Sequence, residues 1–163
     1  MALEALIAEY ANETRTTRRL IERIPADQFE WRPHPKSFTA SGLASHIVEC
    51  MGWLESIFLH DEIDFDPSTF KPYRAASMPA LLTTFDEKAA DGNRILAGVD
   101  EAALKTPWRL KMRGKVLVER PKAEAFRDFT VSHIIHHRGQ LSVYLRLLDV
   151  PVPGAYGPTA DER

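Results

Sequence analysis

The sequence predicts an all-α fold, an antiparallel four-helix bundle, from two observations. First, the 11 prolines fall in clusters and leave four long stretches without proline, residues 1–24, 36–66, 80–106 and 122–150. Proline lacks the N–H donor that a helix interior needs, and its ring clashes with the preceding turn, so each stretch has room for one long helix. Second, apolar residues recur within each stretch at steps of three and four, the spacing of one buried helix face. Four such helices pack most economically as an antiparallel bundle.

The four buried faces can be followed along the chain. The first helix carries Leu3, Leu6, Tyr10, Thr17, Leu20 and Ile24, and the second carries Leu43, Cys50, Trp53 and Ile57. The third carries Leu81, Phe85, Ala89, Leu96 and Val99, and begins after Ser77, a residue type that caps helix N-termini. The fourth carries Phe126, Phe129, Leu141, Tyr144 and Leu148, and ends before Pro151.

The segments between the helices suggest smaller features. Residues 25–38 and 61–77 contain aromatic residues as well as turn formers, so we expect them to pack across the ends of the bundle and to form pocket walls. The acidic residues Asp61, Glu62, Asp64 and Asp66 lack the glycine and closing glutamate of a calcium loop and are interpreted as solvated surface. Residues 108–119 alternate apolar and basic side chains around Arg113-Gly114, which predicts a small hairpin between helices 3 and 4.

Composition excludes several classes of protein. The 163 residues, 44% of them hydrophobic, are enough for one self-sufficient domain spanning 1–163. A net charge of −2 argues against general nucleic-acid binding, and no apolar run is long enough to cross a membrane. The N-terminal residues do not resemble a signal peptide, and the single cysteine cannot form an internal disulfide. A cytoplasmic location is therefore the simplest expectation.

Three of the six histidines continue the predicted buried faces. His46 fills the gap in the second stripe, and His133 and His137 lie on the fourth. An HxxxH pair places two rings on one helix face, where both can reach the same ion. Buried side by side without a cation, the three imidazoles would lack hydrogen-bond partners, and if charged they would repel one another.

These histidines predict a metal site with open positions. Neutral imidazoles bind divalent transition metals, and three protein ligands leave room for water or a substrate. We expect one divalent metal per chain, zinc or nickel. His34, His60 and His136 lie off the buried faces and are expected to be solvated.

Four further residues near these positions have two readings each. Glu13 and Glu49 are candidate catalytic bases, or else flanking carboxylates that pair with arginines or orient a histidine. Gln140 is expected to orient a histidine ligand or to form a hydrogen bond between two helices. Cys50, one turn after His46, could act as a nucleophile, but its place on the buried face favours a small hydrophobic role. No histidine has a glutamate three residues before it, which excludes a di-iron carboxylate bundle.

Two stretches carry a family resemblance. Residues 31–54, WRPHPKSFTASGLASHIVECMGWL, and residues 133–157, HIIHHRGQLSVYLRLLDVPVPGAYG, resemble the DinB/YfiT-like superfamily of metal-binding four-helix bundles. The HxxxHRGQL pattern before a proline-rich Tyr-Gly tail is the most specific part. The resemblance implies a divalent-metal triad, which maps to His46, His133 and His137, and a homodimer.

The resemblance also implies candidate activities on a small-molecule substrate. Better understood relatives are similar to thiol-dependent enzymes, such as mycothiol-dependent maleylpyruvate isomerase and bacillithiol S-transferase. The leading hypothesis is therefore a metal-dependent enzyme acting through a low-molecular-weight thiol, as an S-transferase or isomerase. A metal-dependent hydrolase is the alternative, and a non-catalytic, metal- or stress-responsive interaction module is a third.

Overall fold

A computed structural model describes residues 2–162, and within them it has four long helical segments and a three-stranded sheet. The helices are α1 (Leu3–Ile21), α2 (Ala40–Leu59), α3 (Met78–Ala97), α4 (Lys122–Phe126) and α5 (Ser132–Leu147). A π-helical turn, Arg127–Val131, joins α4 to α5, so that they form one helical segment. The strands are β1 (Glu62–Phe65), β2 (Pro107–Met112) and β3 (Lys115–Pro121).

Local capping explains where two of the helices begin. The Thr39 hydroxyl accepts a hydrogen bond from the Gly42 N–H at 3.0 Å, and the Ser77 hydroxyl accepts one from the Ala80 N–H at 3.3 Å. Each bond satisfies a backbone donor that the first helical turn leaves free. No helix within residues 2–162 has both the length and the apolar character needed to span a membrane.

The packing of the helices decides which faces meet. Both α1 and α2 pack against α3 and α5, so α1 and α2 occupy opposite corners of the bundle. One part of the core lies around Leu20, Leu43, Ile47 and Leu141, and the other around Leu6, Leu54 and Phe126. The contact between α2 and α5 is the one that brings the histidine-bearing faces together.

The prediction of an all-α fold is wrong, because a mixed sheet packs beside the bundle. Its strand order is β1-β2-β3, with β1 parallel to β2 and β2 antiparallel to β3. Arg113 and Gly114 both have positive φ, 49° and 79°, as the two-residue turn between β2 and β3 requires. The hairpin expected between helices 3 and 4 is therefore two strands of a larger sheet.

The acidic segment that the sequence analysis interpreted as solvated surface contains strand β1. Its carboxylates pair with basic or backbone groups of β2, the hairpin turn and α4: Glu62 with Lys111 at 2.6 Å, Asp66 with Arg113 at 3.2 Å, Asp61 with Lys122 at 3.0 Å, and Asp64 with the Gly114 N–H at 2.9 Å. The intervening Ile63 and Phe65 are apolar, so the segment has the period-two alternation of a strand. The sequence analysis considered only the acidic residues of this segment and therefore did not predict the strand.

A tryptophan anchors the sheet to the bundle. The Trp108 side chain on β2 is fully buried, and its indole N–H donates to the Ser56 carbonyl on α2 at 3.0 Å. The ring also lies against Trp53 of α2 and Phe129 of the π-helical turn, with centroid distances of 6.2 Å and 5.6 Å. Sheet and bundle therefore share one aromatic core.

A buried ion pair joins α1 to α5. Arg138 Nη1 lies 2.6 Å from Glu13 Oε2, and the two side chains are only 3% and 7% exposed. The Tyr156 hydroxyl in the C-terminal segment donates to the same carboxylate at 2.8 Å, and its ring lies 5.0 Å from the guanidinium. Both charges are thus satisfied inside the protein.

Removing one member of this pair should destabilise the fold. We expect Glu13→Ala to lower the free energy of unfolding by about 3–5 kcal/mol, because Arg138 would keep an uncompensated buried charge. Glu4→Ala, an exposed glutamate on the same helix, should cost less than about 1 kcal/mol. Urea unfolding monitored by circular dichroism measures both, and equal losses would contradict the assignment.

A second prediction concerns the contact between α1 and α3. A Cβ atom built on Gly92 would lie 2.3 Å from the hydroxyl of Tyr10, whose side chain is fully buried. Gly92→Ala should therefore destabilise the protein by about 1–3 kcal/mol, although alanine is the better helix former. A Cβ atom added at Gly139 on α5 meets no atom within 4 Å. Gly139→Ala should therefore stabilise the protein by about 0.5–1 kcal/mol. Thermal unfolding tests both predictions: the melting temperature should fall in Gly92→Ala and rise in Gly139→Ala.

Candidate metal centre

Three histidine rings meet where α2 packs against α5. The ring centroid of His46 lies 5.2 Å from that of His133 and 4.7 Å from that of His137, and the two α5 rings are 4.8 Å apart. The three rings therefore form one cluster between the two helices. The structure thus brings together the three residues that the sequence analysis singled out as ligands.

The π-helical turn lies directly before the first of these α5 histidines. Such a turn adds a residue to one helical turn, so it changes the angular position of everything that follows. The orientation of His133 and His137 toward α2 therefore depends on this turn as well as on their own spacing. The sequence pattern treated residues 122–150 as one uniform helix and did not predict it.

A carboxylate orients the His46 ring. His46 Nδ1 donates to Glu49 Oε2 at 2.9 Å, and Glu49 Oε1 accepts a hydrogen bond from the Tyr73 N–H at 3.0 Å. Both carboxylate oxygens are thereby occupied, and the His46 Nε2 atom is the one left for a ligand. A carboxylate behind a histidine is a common arrangement at metal sites, where it holds the ring and raises its basicity.

An amide orients the His137 ring in the same way. His137 Nδ1 donates to Gln140 Oε1 at 2.9 Å, and the Gln140 amide nitrogen donates to His136 Nε2 at 3.1 Å. Since Nδ1 carries the proton, Nε2 of His137 holds the lone pair. Gln140 therefore occupies the position of an orienting residue.

Burial keeps two of the rings unprotonated. It lowers the pKa of His137 to about 4, against the opposing hydrogen bond to Gln140 and with a smaller contribution from the neighbouring histidines. The pKa of His133 is also lowered, first by burial and then by His46. Both rings are neutral near pH 7, the state in which imidazole coordinates a metal.

Cys50 lies closer to the histidines than a purely hydrophobic role requires. Its sulfur is 3.8 Å from His46 Nε2, and the candidate ligand atoms of His46, Cys50 and His133 all lie within 4.8 Å of one another. Burial, followed by the charge of Glu49, raises the pKa of the Cys50 thiol to about 12, which disfavours a nucleophilic role. The sequence signal was the four-residue spacing from His46.

This donor set fits a divalent transition metal. Imidazole nitrogens, with a thiol within reach, suit zinc and nickel better than magnesium or calcium, which prefer oxygen ligands. The orienting partners on His46 and His137 are those that such a site requires. The geometry is therefore compatible with a metal site built from histidine and cysteine.

The remaining candidates lie elsewhere or have other partners. The Glu13 carboxylate is bonded to Arg138 and Tyr156 at the interface of α1 and α5. His34 and His60 are exposed in the segments that flank α2, and His136 is exposed on α5, with its ring 4.8 Å from that of His137.

A cavity of about 310 Å³ opens beside His46 and His133. Its walls include Trp53 of α2, Ile63 and Phe65 of β1, and Phe70 of the following segment. A larger cavity of about 620 Å³ lies between residues 101–105 and α4, and no histidine lines it. The first cavity is therefore the one that gives access to the candidate metal centre.

Comparisons with known proteins agree with this architecture. The structure of a DinB-like protein from Bacillus cereus ATCC 10987 superposes with a TM-score of 0.76 at 19% identity, covering 95% of this chain and 98% of that one. A DinB-like protein from Bacillus subtilis, YjoA, superposes with a TM-score of 0.71 at 18% identity, covering 98% and 99%. These two likenesses establish the fold.

Sequence comparison points to the same family. The chain is 23% identical over 163 residues to the uncharacterized protein YrdA of Bacillus subtilis (strain 168), covering 98% of this chain and 91% of that protein. The sequence model of the DinB family matches residues 1–163, the whole chain. The protein therefore belongs to the DinB family.

Proposed function

We propose that this protein binds one divalent transition metal through His46, His133 and His137 and transfers a low-molecular-weight thiol to an electrophile. One observation carries the proposal: three imidazole rings cluster between α2 and α5, Glu49 and Gln140 orient two of them, and His46 and His133 line an open cavity. A site with three protein ligands and an open side is typical of catalytic metal centres.

The metal would have one chemical role: it would lower the pKa of a bound thiol, so that the thiol reacts as the thiolate. In the overall reaction the thiol releases its proton to solvent and its sulfur forms a bond to the electrophilic carbon. The leaving group departs from that carbon with the bonding electron pair. His46 and His137 are held in place for this role by Glu49 and Gln140.

The carboxylates favour thiol transfer over hydrolysis. Activation of water usually needs a general base, and Glu13 and Glu49 were the two candidates. Glu49 is bonded to His46 and Tyr73, and Glu13 to Arg138 and Tyr156. Thiol transfer needs neither carboxylate as a base, because the thiolate is the attacking group.

An exposed cation lies on one side of the histidines. The Phe38 ring stacks on His46 with a centroid distance of 5.7 Å, and the Arg74 guanidinium lies 6.0 Å from the Phe38 centroid. This places a positive charge where an anionic group of a thiol cofactor could approach. We further propose that the protein acts on a small-molecule substrate, as a homodimer in the cytoplasm.

The ligand set can be tested by metal analysis. We expect purified protein to hold about one divalent metal per chain, and His46→Ala, His133→Ala and His137→Ala each to lose it, because each removes a donor nitrogen. His136→Ala, one residue away on the exposed face of α5, should retain the metal. Elemental analysis beside a chelator-treated blank measures the stoichiometry.

Cys50→Ala separates the two ligand sets that the geometry allows. Retention of metal in Cys50→Ala supports the three-histidine set. Loss in Cys50→Ala together with retention in His137→Ala would overturn it in favour of His46, Cys50 and His133. Equal losses in all variants, His136→Ala included, would contradict a specific site.

The activity can be tested by its dependence on thiol. We expect metal-loaded protein to accelerate the reaction of chlorodinitrobenzene with cysteine, bacillithiol or mycothiol, and His137→Ala to lose about a hundredfold or more of that acceleration. Absorbance of the dinitrophenyl thioether follows the rate. Ester cleavage that continues without thiol would support a hydrolase instead, and inactivity in both assays would support a non-catalytic binding module.

A further inference from the structure

The cavity beside His46 and His133 has mainly apolar walls. Three aromatic side chains, Trp53, Phe65 and Phe70, contribute to them together with Ile63. A second cavity, of about 230 Å³ and lined by Leu110, Met112 and Leu117, shares Trp53 and Phe65 with the first. Apolar surface therefore extends from the histidines toward the sheet.

The aromatic walls are held by packing behind them. The Trp53 ring lies against Trp108 and Phe129, with centroid distances of 6.2 Å and 5.6 Å. The Phe65 ring lies 4.9 Å from Phe70. Phe70 is 45% exposed, so one wall borders solvent while the opposite wall is part of the core.

The side chains around this cavity provide no free positive charge for an anionic occupant. Among residues 2–162, neither lysine nor arginine lines it, and its one carboxylate, Glu49, already accepts hydrogen bonds through both oxygens. Lys111 lines the second cavity, but its ammonium group is held by Glu62 at 2.6 Å. In the metal-free protein an anion would thus lose its hydration beside a carboxylate without gaining a counter-charge.

Size and wall chemistry favour a flat aromatic occupant. The volume of about 310 Å³ lies at the lower end of the range for small-molecule sites. Aromatic pairs in offset or edge-to-face contact contribute about 0.5–1.5 kcal/mol beyond the burial of their surface. One or two fused rings would meet Trp53, Phe65 and Phe70 together.

We infer that this cavity binds an uncharged aromatic molecule, with its reactive group directed toward His46 and His133. The role of this molecule as the electrophile of thiol transfer rests on the proposed function. The binding of the molecule in the cavity does not depend on that proposal. The cavity thus selects the acceptor by apolar contact and by walls without lysine or arginine, while the histidines lie at the reacting end.

Gly52 provides a direct way to fill the cavity. It lines the cavity on α2, and a Cβ atom added there meets nothing within 4 Å. A leucine at this position would thus start from open space and narrow the cavity. Gly139 on α5 is also open but does not line this cavity, so Gly139→Leu is the matched control.

The test measures binding of 2-naphthylmethanol to chelator-treated protein by the fluorescence of the probe. We expect saturable binding, weakened about tenfold or more in Gly52→Leu and changed less than about twofold in Gly139→Leu, where tenfold corresponds to about 1.4 kcal/mol. Phe70→Ala, which removes the exposed wall, should also weaken binding. 2-Naphthoate, the anionic counterpart, should bind about tenfold more weakly or worse.

Two results would overturn the inference. One is equal affinity of the wild type, Gly52→Leu and Phe70→Ala for 2-naphthylmethanol, and the other is 2-naphthoate binding as tightly as the neutral probe. Because the protein is free of metal in this experiment, failure of the metal or thiol assays leaves the result unaffected. Conversely, thiol transfer without probe binding would reject the aromatic pocket and retain the proposed function.

Discussion

The contact between α2 and α5 is the constraint on which the candidate site depends. It places three imidazoles together in the interior of a bundle, where polar rings need partners. Glu49 and Gln140 supply a partner for one nitrogen of His46 and of His137, and burial keeps His133 and His137 unprotonated. The ring nitrogens left without these partners are the ones that a cation could bind.

The sheet adds to the bundle what the helices alone do not provide. Trp108 anchors β2 against α2, and β1 pairs with β2 in parallel, which brings Ile63 and Phe65 to the side of Trp53. The bundle therefore supplies the polar floor of the cavity, and the sheet supplies part of its apolar wall. The proposed metal binding and the proposed selection of an aromatic acceptor would thus depend on different parts of the fold.

Charged groups are paired within the chain rather than directed at the cavity. The acidic residues of the β1 segment bind the basic residues of β2 and its turn, and Glu13 binds Arg138 inside the bundle. The basic residues of the hairpin are thereby partly neutralised. Glu49, which does line the cavity, has both carboxylate oxygens hydrogen-bonded, to the His46 ring and to the Tyr73 N–H.

The helices and the inward position of His46, His133 and His137 could be predicted from sequence, because proline placement and apolar spacing are local properties of the chain. The sheet could not, because parallel pairing of β1 with β2 joins residues some 47 apart, as between Glu62 and Arg109, and acidic residues masked its alternation. The partners of Glu13, the approach of Cys50 to His133 and the aromatic cavity were also decided by tertiary structure. Each depends on distances between segments, which no local pattern encodes.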